Sequence, residues 1–152
     1  MMNDRYLFRA KRIDNGEWVV GKLFDDGFEN GRIFVGGLVI EEYHGTACDK
    51  WDITGMDFYE ADPFTICQCT GRTDENENLI FEHDIVLYLD CTSTESGYSE
   101  RWCVGEVTWD DETLSFQVSG RLSAESYEVL SGIDCKVVGN IFDNPELLEQ
   151  EG

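Results

Sequence analysis

Two apolar runs on either side of a polar loop mark the stretch QCTGRTDENENLIFEHDIVLY, residues 68–88. The residues from Phe64 to Cys69 and from Leu79 to Phe81 have the length of short strands, and the loop Thr73–Asn78 joins them. Ile85–Leu89 is the most apolar strand candidate in the chain. Because strand residues alternate between two faces, this stretch predicts a β-rich fold.

The same pattern continues towards the start of the chain. Arg5–Ala10 and Glu17–Phe24 alternate with period two and flank the turn signal Asp14-Asn15-Gly16, which predicts a hairpin. Arg32–Ile40 is a further strand candidate, and we interpret its Gly36-Gly37 pair as a bulge or bend.

Strand patterns return in the second half after an interruption. The segment Glu41–Asp62 weakens into a loop-rich acidic stretch, and we expect a connection or subdomain boundary near its end, at Asp62-Pro63. After a flexible stretch, Thr92–Gly97, the runs Arg101–Trp109 and Leu114–Val118 predict another hairpin. Cys135–Phe142 is the last predicted strand.

Long apolar stripes with a helical period are missing, which indicates an all-β protein. The regular spacing of the short strands favours a small closed barrel, since closure removes exposed edges. A helical turn is predicted over Ser123–Leu130, and Asn144-Pro145 is typical of the start of a short terminal helix. We therefore expect an N-terminal β region over residues 1–62, a barrel over 63–142, and a helix with tail over 143–152.

Three other stretches complete the pattern that residues 68–88 begin. They are Phe8-Arg9-Ala10, Trp18-Val19 and Val137–Leu148. In order and spacing, the four stretches resemble the YopX family of phage and prophage proteins over almost the whole chain. The resemblance implies an SH3-like β-barrel for the second half, and it implies no particular reaction.

Charge limits the partners of this chain. Its 152 residues contain 32 Asp and Glu against 11 Lys and Arg, a formal net charge of -21. Binding to phosphates needs a basic face, so direct nucleic-acid binding and docking to an anionic membrane are disfavoured. The content of 9 Phe, 6 Tyr and 4 Trp indicates a folded protein. Residues 1–6 lack a signal-peptide pattern, and we expect a cytoplasmic protein in a bacterial host cell.

Six cysteines raise the alternatives of disulfides, metal ligands and free thiols. We expect free thiols in a reducing cytosol, and no cofactor. A zinc site would need the set His44, Cys48, Cys67 and Cys69, but Cys67 and Cys69 lack the two-residue spacing of a zinc knuckle. The family resemblance places Gly and an aromatic residue at these two positions, which favours packing replacements.

Two short patterns invite a chemical interpretation. The residues Asp74, Asn76 and Asn78 match the start of a calcium loop, but the Gly and Glu that should follow are absent, which favours a polar turn. The resemblance places Gly where this chain has Glu77, so we expect Asn76 or Asn78 in the left-handed conformation. His83-Asp84 is interpreted as a turn in which Asp84 caps backbone donors, because neighbouring strand residues face opposite ways. Relatives tend to carry Gly at the His83 position.

The four tryptophans are candidates for either a core or a ligand groove. The alternation around Trp18 and Trp109 favours the core, whereas the polar flanks of Trp51 and Trp102 leave these two open. The candidate binding surface consists of Trp51, Trp102, Glu41, Glu42, Asp49 and Asp52.

We expect a non-enzymatic accessory protein that binds a host or phage protein through an acidic surface. Self-assembly into a homo-oligomer is a related expectation. Two alternatives stay open. One is an enzyme in which paired carboxylates of residues 41–62 hold Mg²⁺, and the other is an acidic DNA mimic that occupies a nucleic-acid-binding site.

Overall fold

The computed structural model describes residues 3–29, 31–45, 47, 49–120, 127–129 and 134–149. The all-β prediction is confirmed: the described residues form eleven strands, and the pairs they make are antiparallel. The helical elements described are short 3-10 turns, namely Asp4–Tyr6, Pro63–Thr65 and Pro145–Leu148. Among the described residues, no helix is long and apolar enough to cross a membrane.

The chain divides into two compact units, and the first consists of Tyr6–Cys67. Its strands lie in the order β4-β3-β2-β1. They are β1 (Phe8–Lys11), β2 (Trp18–Asp25), β3 (Ile33–His44) and β4 (Asp49–Ala61). Ala10, Val35 and Ala61 form the buried centre, against which Val19, Leu23 and Ile66 pack.

The predicted first hairpin is present. Strands β1 and β2 pair with Phe8 opposite Gly21, and Gly16 adopts a positive φ of 73° in the turn. Positive φ costs glycine little because it has no Cβ. Asp14 accepts two hydrogen bonds from the Arg12 guanidinium, at 2.9 and 2.6 Å, which stabilises the turn.

The acidic stretch Glu41–Asp62 is not a loop. Strand β3 continues to His44, and β4 occupies most of the remainder. The predicted strand Phe64–Cys69 is also shifted, since Pro63–Thr65 is a 3-10 turn whose start is capped by Asp62 accepting from the Phe64 N–H at 3.0 Å.

The second unit consists of Gln68–Gly152 together with Met1–Arg5. Its strands are the pair β5 (Cys67–Thr73) and β6 (Leu79–Phe81), followed by β7 (Asp84–Thr94), β8 (Gly97–Asp110), β9 (Ser115–Gly120), β10 (Tyr127–Val129) and β11 (Cys135–Asn140). The last five form a sheet in the order β10-β9-β8-β7-β11. Its core contains Ile80, Val86, Tyr88, Cys103, Val107, Val118 and Cys135.

Several predictions for this unit are wrong. Within the described residues this sheet ends at two different strands, β10 and β11, and does not close into a barrel. Strand β10 lies within the predicted helical turn Ser123–Leu130, of which residues 123–126 and 130 lie outside the described residues. The predicted terminal helix is one 3-10 turn, and the Asn144 side chain accepts from the Asn140 N–H at 3.3 Å and does not cap the turn.

Candidate functional site

Strands β3 and β4 extend well beyond the rest of their sheet. Strand β2 pairs with β3 only over residues 33–36, and Gly36 is the last residue of β3 in this pairing. Among the described residues, the parts of β3 and β4 beyond this point pair only with each other. We call residues 37–44 and 49–56 the hairpin arm. Eight residues of strand correspond to a length of about 26 Å.

One face of the hairpin arm is apolar. Leu38 lies opposite Met56 and Ile40 opposite Ile53, while Trp51 lies opposite Glu42. Residues directly opposite in an antiparallel pair share a face, so these side chains lie together. Each apolar member is at least 50% exposed, and Met56 reaches 71%. We call the following residues the apolar face: Leu38, Ile40, Trp51, Ile53 and Met56.

The other face of the hairpin arm is mostly polar, although it includes Val39, which is 44% exposed. Glu41 lies opposite Asp52, and Tyr43 lies opposite Lys50. The Tyr43 hydroxyl donates to Glu41 Oε2 at 2.6 Å, and this hydrogen bond raises the pKa of Tyr43. Two carboxylates placed directly opposite each other repel, so this face favours a positively charged neighbour.

The structure places most of the candidate residues that the sequence predicts on the hairpin arm, with Glu42 and Trp51 on the apolar face and Glu41 and Asp52 on the other face. Glu41, Glu42, Trp51 and Asp52 all lie on the hairpin arm, and all are exposed. Asp49 is at the start of β4, opposite His44, and its side chain lies outside the described side chains. Trp102 belongs to the second unit, where it is 61% exposed and lies opposite Leu89.

The core prediction for the other two tryptophans is partly wrong. Trp18 is half-buried, and the Arg9 guanidinium stacks over its ring at 4.7 Å. Trp109 is 41% exposed, contacts the Phe116 ring edge-on at 5.0 Å, and donates from Nε1 to Asp111 at 2.8 Å. The indole N–H thus has a carboxylate acceptor at the surface, where a hydrogen-bond partner is easier to supply than in a core.

A comparison with protein families agrees with the sequence pattern. A family model described as YopX protein matches residues 7–149, almost the whole chain. This chain belongs to the YopX family. A comparison with curated proteins finds no match. Among solved structures, the crystal structure of protein EF1440 from Enterococcus faecalis is 23% identical to this YopX chain, covers 93% of it and 96% of its own length, and has a TM-score of 0.49.

Two of the three positions at which the family resemblance implies Gly, those of Glu77 and His83, have an unusual backbone here. Glu77 has a φ of 65° and His83 a φ of 69°. The prediction that Asn76 or Asn78 takes the left-handed conformation is therefore wrong, because Glu77 itself adopts it.

Replacing Glu77 with Gly should stabilise the protein. Left-handed backbone is strained for a residue with a Cβ, and the Glu77 N–H keeps its 3.0 Å hydrogen bond to the Asp74 carbonyl in either variant. We expect Glu77→Gly to raise the free energy of unfolding by about 0.5–1 kcal/mol, measured by urea denaturation. Glu75→Gly is the matched control and should be destabilising, because Glu75 has no positive φ.

Asp74 organises the turn that the sequence predicts. Its Oδ1 accepts the N–H groups of Asn76 at 2.9 Å and Asn78 at 2.8 Å, and its Oδ2 accepts the N–H of Val137 at 3.0 Å. Burial raises the pKa of Asp74, but the hydrogen bonds from Val137, Asn78 and Asn76 outweigh it, so the pKa lies below its ordinary value. Backbone donors thus surround the carboxylate.

The prediction for Asp84 is confirmed. Its side chain is buried and accepts the Phe81 N–H at 2.8 Å, so it caps a backbone donor before β7. The neighbouring His83 places Nδ1 2.8 Å from Glu106 Oε2, on β8, and its ring contacts Phe142 edge-on. These contacts join the β6–β7 turn to β8 and to the segment after β11.

The described cysteines are thiols that form no disulfide, and one of them is exposed. Cys67, Cys69, Cys103 and Cys135 are buried, whereas Cys91 on β7 is exposed. Burial raises the pKa of the Cys135 thiol. Of the set considered for zinc, Cys48 lies outside the described residues. Within the described part of the chain, no three His, Cys, Asp or Glu side chains converge as metal ligands.

Proposed function

We propose that this YopX-family chain is a non-enzymatic accessory protein that binds a basic protein partner through the hairpin arm. The observation that carries the proposal is the exposure of the whole apolar face on a two-stranded ribbon. A lone hairpin of two strands is marginally stable in water, and it becomes stable when its apolar face packs against another element. A protein partner would supply that element.

The apolar face is large enough to contribute strongly to binding. Complete burial of one exposed Leu, Ile, Met or larger side chain contributes about 1.5–3 kcal/mol. Trp51 lies beside Ile53 and Met56 on one strand, and exposed aromatic residues of this kind dominate the energy of many interfaces. A partner that covers these side chains would therefore gain most of its affinity there.

The charge of the chain favours a basic partner. Glu42 lies opposite Trp51 on the apolar face itself, and Glu41 and Asp52 lie on the opposite face. A partner with Lys or Arg around an apolar centre would meet complementary charge, and the net charge of -21 would accelerate its approach. A second copy of the chain would bring like charge against like charge.

Other predictions accompany this proposal. They are a phage or prophage origin, a cytoplasmic location in the bacterial host, and an SH3-like form of the second unit. The family resemblance supports the origin and the SH3-like form, and the strand order described above supports only the antiparallel β architecture.

The proposal is tested by affinity capture from bacterial lysate with three forms of the full chain. These are the natural sequence, the double variant Trp51→Thr/Ile53→Thr, and Phe64→Thr. Thr keeps the β-branched shape that strands favour while removing apolar surface. Phe64 is a matched control because it is 89% exposed in the same unit but lies outside the arm.

We expect the natural chain and Phe64→Thr to capture the same basic protein. The double variant should retain at least about tenfold less of it, because it lacks the central aromatic side chain of the interface. Higher salt should weaken the capture, because screening reduces the range of the electrostatic attraction between the chain and its partner. Equal capture by all three forms would contradict the proposal. If light scattering shows that the natural chain and Phe64→Thr are dimers and that the double variant is not, the arm binds a second copy of the chain.

A further inference from the structure

The second unit carries another ribbon that extends beyond its sheet. Strand β11 covers β7 as far as Tyr88, and β9 covers β8 as far as Gly105. Among the described residues, the parts of β7 and β8 beyond these positions pair only with each other. We call residues 89–94 and 97–102, which pair with each other, the second ribbon.

One face of the second ribbon combines two aromatic rings with a carboxylate. Tyr98, Glu100 and Trp102 alternate along β8 and therefore point the same way. Tyr98 and Trp102 are 64% and 61% exposed. The Tyr98 hydroxyl donates to Glu100 Oε1 at 2.7 Å. Hydrogen bonds with Cys91 and with Glu100 raise the pKa of Tyr98, so its hydroxyl stays protonated as a donor.

This arrangement suits a planar cation. Indole is the aromatic ring that attracts cations most strongly, and a guanidinium can stack on it while donating to a nearby carboxylate. Residues two apart on a strand are about 6.8 Å apart, within reach of a stacked arginine side chain. The first unit already contains such contacts, with Arg9 over Trp18 at 4.7 Å and Arg12 over Tyr59 at 3.9 Å.

We propose that Trp102 and Glu100 form a binding point for an arginine side chain of a protein partner. Charge complementarity favours this occupant, because arginine brings a positive charge to a chain with a net charge of -21. Arginine fits better than lysine because its guanidinium is planar and less strongly hydrated. The site belongs to the second unit and does not depend on the function proposed for the hairpin arm.

The test measures binding of fluorescent peptides to the full chain by anisotropy. The probe is a hexapeptide of alternating Gly and Arg. Two matched peptides replace Arg with Lys, which keeps the charge, or with citrulline, which keeps the shape and removes the charge. We expect the Arg peptide to bind about two- to fivefold tighter than the Lys peptide, the range expected for an exposed cation–π contact.

Two variants locate the site. Trp102→Leu should remove the preference for Arg over Lys, and Glu100→Gln should weaken Arg binding about two- to fivefold, as expected for an exposed ion pair. Glu112→Gln is the matched control, because it changes the net charge equally at an exposed turn of the same unit. If Glu100→Gln behaves like Glu112→Gln, or if Trp102→Leu keeps the Arg preference, the proposed site is wrong.

Discussion

Replacing Gly36 with Ala is expected to lower the free energy of unfolding by about 4 kcal/mol, at the upper end of single-residue effects. A Cβ at Gly36 would collide with the Asp57 carbonyl oxygen and lie 2.7 Å from Phe58 Cα, both on β4. These are backbone atoms of a paired strand, so neither can move aside without breaking the β3–β4 ladder. Urea denaturation of the full chain measures the loss.

The neighbouring Gly37 provides the control for this prediction. A Cβ at Gly37 meets no atom within 4 Å, and we expect Gly37→Ala to change stability by less than about 0.5 kcal/mol. Similar values for the two variants would show that close backbone packing is not what requires Gly36. The position matters because Gly36 is the last residue of β3 that pairs with β2, at the base of the hairpin arm.

Asp74→Asn should destabilise the protein by about 2–3 kcal/mol near pH 7, because hydrogen bonds to a buried charged group are lost. An amide can replace one oxygen, but its NH₂ group would then face another donor, either the Asn76 and Asn78 N–H groups or the Val137 N–H. The expected measurement is again the free energy of unfolding, with Glu75→Gln, an exposed neighbour, as control.

The effect of Asp74→Asn should depend on pH. The pKa of Asp74 lies below its ordinary value of 3.8 in the folded chain, so the charged form stabilises the fold fully above that value. As the pH falls through the lowered pKa, the carboxylate becomes protonated and this stability is lost. The difference between the natural chain and Asp74→Asn should therefore shrink in acid. A difference that is constant from pH 7 to pH 2 would contradict this assignment.

The sequence predicts two of the strands well, because the apolar residues of one alternate and those of the other form a continuous run. Trp18–Asp25 begins and ends one residue later than predicted, and the core strand Ile85–Leu89 lies within β7. Asp84 is likewise predictable, since a carboxylate next to a buried strand usually caps a turn, and the structure buries it against the Phe81 N–H.

The sequence predicts the start of the hairpin arm, within the strand candidate Arg32–Ile40, but not the rest of it. A ribbon exposed on both faces needs no apolar–polar alternation, so Glu41 and Asp52 make its strands look like a loop. The irregularity in this hairpin lies between Val39 and Ile40, where Thr54 is the extra residue, and not at Gly36-Gly37. Register alone places Trp51 beside Glu42, and residues nine apart in sequence give no local sign of that contact.

The most direct test of the central claim places a photo-crosslinking amino acid at single positions of the full chain. Positions 40, 51 and 56 sample the apolar face, position 43 samples the opposite face, and position 64 is exposed in the same unit outside the arm. If the arm binds its partner through the apolar face, crosslinks to the captured basic protein should form from 40, 51 and 56, and only weakly from 43 and 64. Equal crosslinking from 43 or 64 would contradict the account.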